Sequence, residues 1–93
     1  MSAGSFEITV AGRVQGVGFR MFAKDCADRL GLKGYVMNMD EEDKVKLEVE
    51  GNLRDVEALV SLLKAGPPSA AVRGVDVAHS NQHFKQSGFG IRV

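Results

Sequence analysis

The residues best suited to chemistry stand close together in Gly12-Arg13-Val14-Gln15-Gly16-Val17-Gly18-Phe19-Arg20. An alternating strand pattern, Phe6-Ile8-Val10, runs into this stretch, and a helical pattern, Phe22-Ala23-Cys26-Ala27-Leu30, runs out of it. Its glycines allow a strand-to-helix turn with positive φ and a close approach of ligand to backbone. The first N–H groups of a helix lack internal partners and sit at the positive end of its dipole, so such a turn is an anion site. Arg20 opens the helix, where a cation is unfavourable by roughly 0.3–1 kcal/mol. No acidic or Ser/Thr residue in the first turn offsets it. A guanidinium fork belongs there if an anion such as phosphate lies between it and the loop amides. The bland alternative is a solvated arginine after a glycine-rich turn. No Gly-Lys-Ser/Thr follows, so this is not a Walker loop. The glycine spacing and the short chain also exclude a dinucleotide-binding fingerprint.

Asn38 is the second candidate. It interrupts the apolar run Tyr35-Val36-Met37-Asn38-Met39, and asparagine is depleted in strands because its side chain competes for backbone hydrogen bonds. A neutral amide can accept a hydrogen bond from water and aim it. A strand-end residue facing water is the alternative. Other constellations are missing from the sequence. Cys26 lies on an apolar helical stripe and reads as a small buried hydrophobe. His79 and His83 read as surface residues. No Ser-His-Asp, Cys-His or paired-carboxylate arrangement stands out. Met21, Met37 and Met39 read as packing or edge residues.

The elements that must position these residues follow from periodicity. After a loose tail at 1–4, strand one covers about residues 5–11, with Phe6, Ile8 and Val10 on one face. Helix one covers about 19–30 with apolar residues at i, i+3, i+4 and i+7, and Gly31 is a natural C-cap. Strand two covers about 34–39 and Asp40-Glu41-Glu42-Asp43 forms a solvated acidic turn. In strand three, about 44–50, Val45, Leu47 and Val49 point inward and the lysines and glutamates outward. Asn52 caps helix two, about 53–64, which buries Val56, Leu59, Val60 and Leu63 and stops at Gly66-Pro67-Pro68. Strand four covers about 72–79, a polar loop runs from Ser80 to Ser87, and Phe89, Ile91 and Val93 alternate in a short last strand. The order β-α-β-β-α-β with a terminal strand predicts an α+β, ferredoxin-like α/β sandwich. Two helices should cover one face of a mostly antiparallel sheet, leaving the polar alternates of the other face to water.

Composition narrows the class. The chain has 93 residues, 44% hydrophobic and 26% charged, with twelve basic and twelve acidic residues. That is enough for one domain over 1–93, burying about 60–65% of its unfolded surface. Neutral balance without a basic run argues against broad nucleic-acid binding. The single cysteine excludes an internal disulfide and a cysteine metal cluster. No signal peptide or membrane-length apolar run is present. The expectation is a cytoplasmic monomer with neither nucleic-acid nor membrane partner.

Taken together, the Gly12–Arg20 stretch resembles the first signature of the acylphosphatases, and Gly34-Tyr35-Val36-Met37-Asn38 resembles the second. The Gly66-Pro67-Pro68 stop and the Gly88-Phe89-Gly90-Ile91-Arg92 ending also fit, so the resemblance spans nearly the whole chain. It implies hydrolysis of small-molecule acyl phosphates to a carboxylate and inorganic phosphate. It implies that Arg20 binds the phosphoryl group and that Asn38 positions the attacking water. The backbone amides of Gln15, Gly16, Val17, Gly18 and Phe19 cradle the phosphate, with no metal or cofactor. Two departures stand out: Met39 replaces the usual Thr or Ser after the asparagine, and the hairpin turn is acidic and lacks the usual Asp-Gly. The alternative from another class is a non-catalytic phosphate- or anion-binding regulatory module of the same fold. An RNA-recognition role is disfavoured because strand three carries no stacking aromatic.

Overall fold

The computed structural model describes residues 3–85 and 87–93. Strand β1 (Ala3–Arg13) leads through the glycine-rich loop to helix α1 (Phe19–Arg29). Strands β2 (Lys33–Asn38) and β3 (Lys44–Asn52) form a hairpin. Helix α2 (Leu53–Ala65), strand β4 (Ala71–His79) and strand β5 (Phe89–Arg92) follow. The sheet order is β4-β1-β3-β2-β5, with the β2–β5 contact parallel and the others antiparallel. The expected ferredoxin-like α+β plan is therefore what the chain adopts. Strand β1 begins earlier than expected, with Ala3 and Gly4 paired to Asn52 and Gly51. Of the tail expected at 1–4, Met1 and Ser2 lie outside the described residues.

Alternation sets the core. Phe6, Ile8 and Val10 of β1 stand opposite Val49, Leu47 and Val45 of β3, and all six are buried. Helix α1 covers the β2–β5 side with Phe19, Ala23, Cys26 and Ala27. Helix α2 covers the β3–β4 side with Val56, Leu59 and Leu63, while Val60 is half-buried. The caps follow the sequence: Asn52 Oδ1 accepts the Arg54 N–H at 2.9 Å. At the end of α1, the Gly31 and Leu32 N–H groups reach back to the Asp28 and Ala27 carbonyls. In the last strand only Phe89 is buried, and Ile91 lies exposed on the edge of the sheet.

The other face of the sheet departs from expectation. Strands β4 and β5 lie at opposite edges, so their connection must cross the molecule, and residues 80–84 cross the face away from the helices. The Ser80 N–H donates to the Ser5 carbonyl at 2.9 Å, and Ser5 Oγ donates to the Gln82 carbonyl at 2.5 Å. Ser80 Oγ donates to Glu48 Oε1 at 2.7 Å, and the Phe84 N–H donates to Glu50 Oε1 at 2.8 Å. Lys33 Nζ holds the Phe84 carbonyl, whose ring meets Tyr35 edge-on. Glu48, expected to face water, is consequently only 4% exposed. Burial pushes its carboxyl up, and the Glu7 carboxyl opposite it pushes the same way. Alternation had placed Glu48 on the correct face but could not show that a later segment covers it. His79 and His83 are exposed as expected; His83 Nδ1 lies 3.1 Å from Glu50 Oε2.

Candidate active site

A bulge at Ala11/Gly12 shifts the register of β1 against β4, which pair on as Gly12 with Val72 and Arg13 with Ala71. Beyond it the chain turns through Gly16 (φ 74°) and Gly18 (φ 78°) into α1. Gly18 is the N-cap and supplies no side-chain oxygen, and the first turn holds no acid. The first helical bond runs from the Phe22 N–H to the Gly18 carbonyl at 3.1 Å. The Phe19, Arg20 and Met21 amides therefore have no intrahelical acceptor. This bare, positively polarised helix start is what the glycine spacing predicted.

Asn38 comes from the other side. It is the last residue of β2 and lies in register with Val45, which in turn faces Val10 across the sheet. That register puts Asn38 on the helix-covered face of the sheet, at the end where the glycine-rich loop lies. A recess of about 280 Å³ is lined by Val14, Gly16, Gly18, Phe19, Arg20, Met21, Asn38 and Ile91. The two principal candidates, Arg20 and Asn38, thus share one cavity although 18 positions separate them in sequence (38 − 20).

Arg20 is half-buried, and its Nη1 donates to the Arg92 carbonyl at 3.3 Å. Strand β5 thereby steadies the guanidinium through one nitrogen, and no other hydrogen bond among the described residues engages the fork. Among the described residues no carboxylate pairs with it. The recess therefore combines one uncompensated cation, a helix N-terminus and a neutral amide. Such a combination suits a tetrahedral anion.

Of the five residues expected to offer backbone amides, Gly16, Gly18 and Phe19 line the recess. Gln15 and Val17 do not. Gln15 instead turns its side chain to the β2–β3 hairpin. Its Nε2 donates to the carbonyls of Met39 (3.0 Å), Glu41 (2.9 Å) and Lys44 (2.9 Å). Sequence reasoning missed this contact because its acceptors are main-chain carbonyls 24 to 29 positions away. Met21 and Ile91 were also missed. Both are exposed large apolar residues, and both stand in the wall of the recess.

The acidic turn is less idle than expected. The Asp43 carbonyl accepts the Gly12 N–H at 2.9 Å, and its carboxylate pairs with Arg73 at 2.5 Å. That hydrogen bond from Arg73 holds the Asp43 carboxyl below the usual range. Cys26 is buried away from the recess, and burial pushes its thiol up, the opposite of what a nucleophile requires. Among the described residues, no group of three or more His, Cys, Asp or Glu could hold a metal ion. No helix among the described residues is long and apolar enough to cross a membrane. A larger groove of about 670 Å³ runs beside β5 and shares only Ile91 with the recess.

Known proteins resemble this chain in sequence and fold. The family model described as Acylphosphatase matches residues 6–91. The chain is 53% identical over 85 residues to an acylphosphatase of Anaeromyxobacter dehalogenans, covering 91% of this chain and 90% of that protein. It is 45% identical over 73 residues to one of Archaeoglobus fulgidus, covering 78% and 81%. Among solved structures, an acylphosphatase from Bacillus subtilis superposes with a TM-score of 0.88 at 34% identity, covering 99% of this chain and 100% of that one.

Proposed function

The chain belongs to the acylphosphatase family, and we propose that it hydrolyses the carboxyl–phosphate bond of small acyl phosphates in the recess between Arg20 and Asn38. The observation that carries this reading is the convergence of Arg20, the helix start at Gly16, Gly18 and Phe19, and Asn38 on one cavity.

The chemistry suits so spare a site. A carboxylate is a weak base and leaves readily, so no strong general acid is required. Phosphoryl transfer passes through a loose transition state with charge spread over three equatorial oxygens, and catalysis is mainly positioning and electrostatics. The loop amides and Arg20 hold those oxygens. Asn38 accepts a hydrogen bond from water and keeps its oxygen in line with phosphorus. The water oxygen–phosphorus bond forms as the phosphorus–acyl oxygen bond breaks. The electron pair leaves with the carboxylate, and the proton of water passes to a phosphoryl oxygen. No step calls on a metal or cofactor.

The reading places the whole site within one domain and one copy of the chain, so a monomer suffices. The competing reading, an anion-binding regulatory module, predicts phosphate binding without turnover. Hydrolysis of benzoyl phosphate, followed by its ultraviolet absorbance in chelator-treated buffer, separates the two. Release of benzoate and phosphate at rates far above the spontaneous reaction is expected. Phosphate binding with no release would establish the module instead.

A further inference from the structure

The recess has two halves that belong to different parts of the chain. The anion-binding half is the loop before α1; the other half is Asn38 at the end of β2. Main-chain contacts between these segments are sparse. Gly12 N–H to the Asp43 carbonyl ties the start of the loop to the far side of the hairpin. Beyond the β1–β3 pairing that ends at Ala11 opposite Lys44, the other hydrogen bonds from the loop to the hairpin among the described residues come from the Gln15 side chain.

The geometry of those ties is unusual. An amide nitrogen carries two protons, yet Gln15 Nε2 lies 2.9–3.0 Å from three carbonyl oxygens, so one proton is shared. The acceptors are Met39, which directly follows Asn38, together with Glu41 and Lys44 across the turn. The Met39 N–H in turn donates to the Lys44 carbonyl at 3.1 Å, and the Lys44 N–H to the Glu41 carbonyl at 3.1 Å. One nitrogen thus closes a knot of main-chain groups at the foot of the hairpin, immediately beside Asn38. It also lies immediately before Gly16, whose neighbourhood lines the recess.

We infer that Gln15 is a positioning residue for the hydrolytic reaction, its side chain setting where Asn38 stands relative to the anion-binding loop. The inference rests on the reading of Asn38 as the residue that orients water. Positioning errors are costly in such a step. A displacement of about 1 Å can lower a rate on the order of 10²-fold. The clamp engages only carbonyl oxygens, so it is indifferent to the side chains of the turn. Met39 and the acidic Asp40–Asp43 segment can therefore occupy this hairpin without moving Asn38.

The test is a double-mutant cycle on the full chain with benzoyl phosphate. Gln15→Met keeps the side-chain length and removes the donors; Gln15→Glu keeps the shape and turns the donor into an acceptor. Each variant is expected to lower kcat by about ten- to a hundredfold, with the inhibition constant of inorganic phosphate within about twofold of wild type. Asn38→Ala alone is expected to lower kcat by roughly 10²–10³-fold. Added to Asn38→Ala, either Gln15 change should cost less than about twofold more, because nothing remains to be positioned. Equal losses in both backgrounds would make Gln15 a stabilising residue only and overturn the inference. An unchanged kcat in both single variants would also overturn it, while leaving the reaction itself intact. A wild-type protein inactive on benzoyl phosphate would remove this inference and the proposed function together.

Discussion

The guanidinium of Arg20 donates from Nη1 to the main-chain carbonyl of Arg92, 3.3 Å away and 72 positions later in the chain. One nitrogen of the fork is thus held by β5, and the same residue lines the recess. On the proposed reading a single side chain steadies itself and binds a phosphoryl group at once, which a planar multi-donor group can do and a point charge cannot. Arg20→Ala should lower kcat/KM for benzoyl phosphate by on the order of 10³-fold or more. Arg20→Lys should recover little of it, because an ammonium cannot reach both partners. Steady-state kinetics on the three proteins decide the matter; substantial rescue by lysine would show that charge alone suffices.

The glycines of the two signatures do different work, and stability should report it. At Gly16 an added Cβ would meet nothing within 4 Å, so alanine suffers only the positive φ of 74°. That costs roughly 1–2 kcal/mol, and in a domain of this size each kcal/mol lowers Tm by about 4–8 °C. At Gly34 (φ 138°) the Cβ would run into the Glu48 carbonyl oxygen on the neighbouring strand. Backbone cannot swing aside as a side chain does, so Gly34→Ala must pry β2 from β3. Thermal denaturation should show Gly34→Ala to be clearly the more damaging of the two. Equal Tm values would contradict the close strand approach.

The carboxylates beneath the crossing segment predict opposite pH responses. Burial, chiefly, raises the Glu48 carboxyl, so its contribution is fully present below the usual glutamate range of about 4.3 and fades as pH rises through its folded value. Glu50 is lowered, first by the Phe84 N–H and then by His83. Its contribution is present above the usual range and is lost as pH falls through its folded value. Glu48→Gln preserves an acceptor for Ser80 and removes the ionisation. It should raise Tm by a few degrees near pH 8, with a smaller gain near pH 5. A Tm loss of equal size at both ends would show that the carboxylate is stabilising as it stands.

Much of this was legible in the residues. The period-two run Val45-Leu47-Val49 and the three-to-four spacing of Ala23, Cys26 and Ala27 reflect burial on one face, which leaves a local imprint. The glycine-rich turn and Arg20 were legible because a positive φ and a misplaced cation each need a local reason. The role of the Gln15 side chain left no such trace, since its partners are carbonyls that every residue carries. Burial of Glu48 was hidden for a related reason. The segment that covers it is polar, aperiodic and more than thirty positions away, and only the placement of β4 and β5 at opposite edges forces it across the sheet.

On the proposed reading, the bare helix start and Arg20 together form a seat for a phosphoryl group. Titration of inorganic phosphate or vanadate into ¹⁵N-labelled protein, followed by amide NMR, tests it most directly. Saturable shifts should concentrate at the Gly16, Gly18 and Phe19 amides and at the Arg20 side chain, and should vanish in Arg20→Ala. Shifts confined to other surfaces, or unaltered by loss of Arg20, would contradict the account.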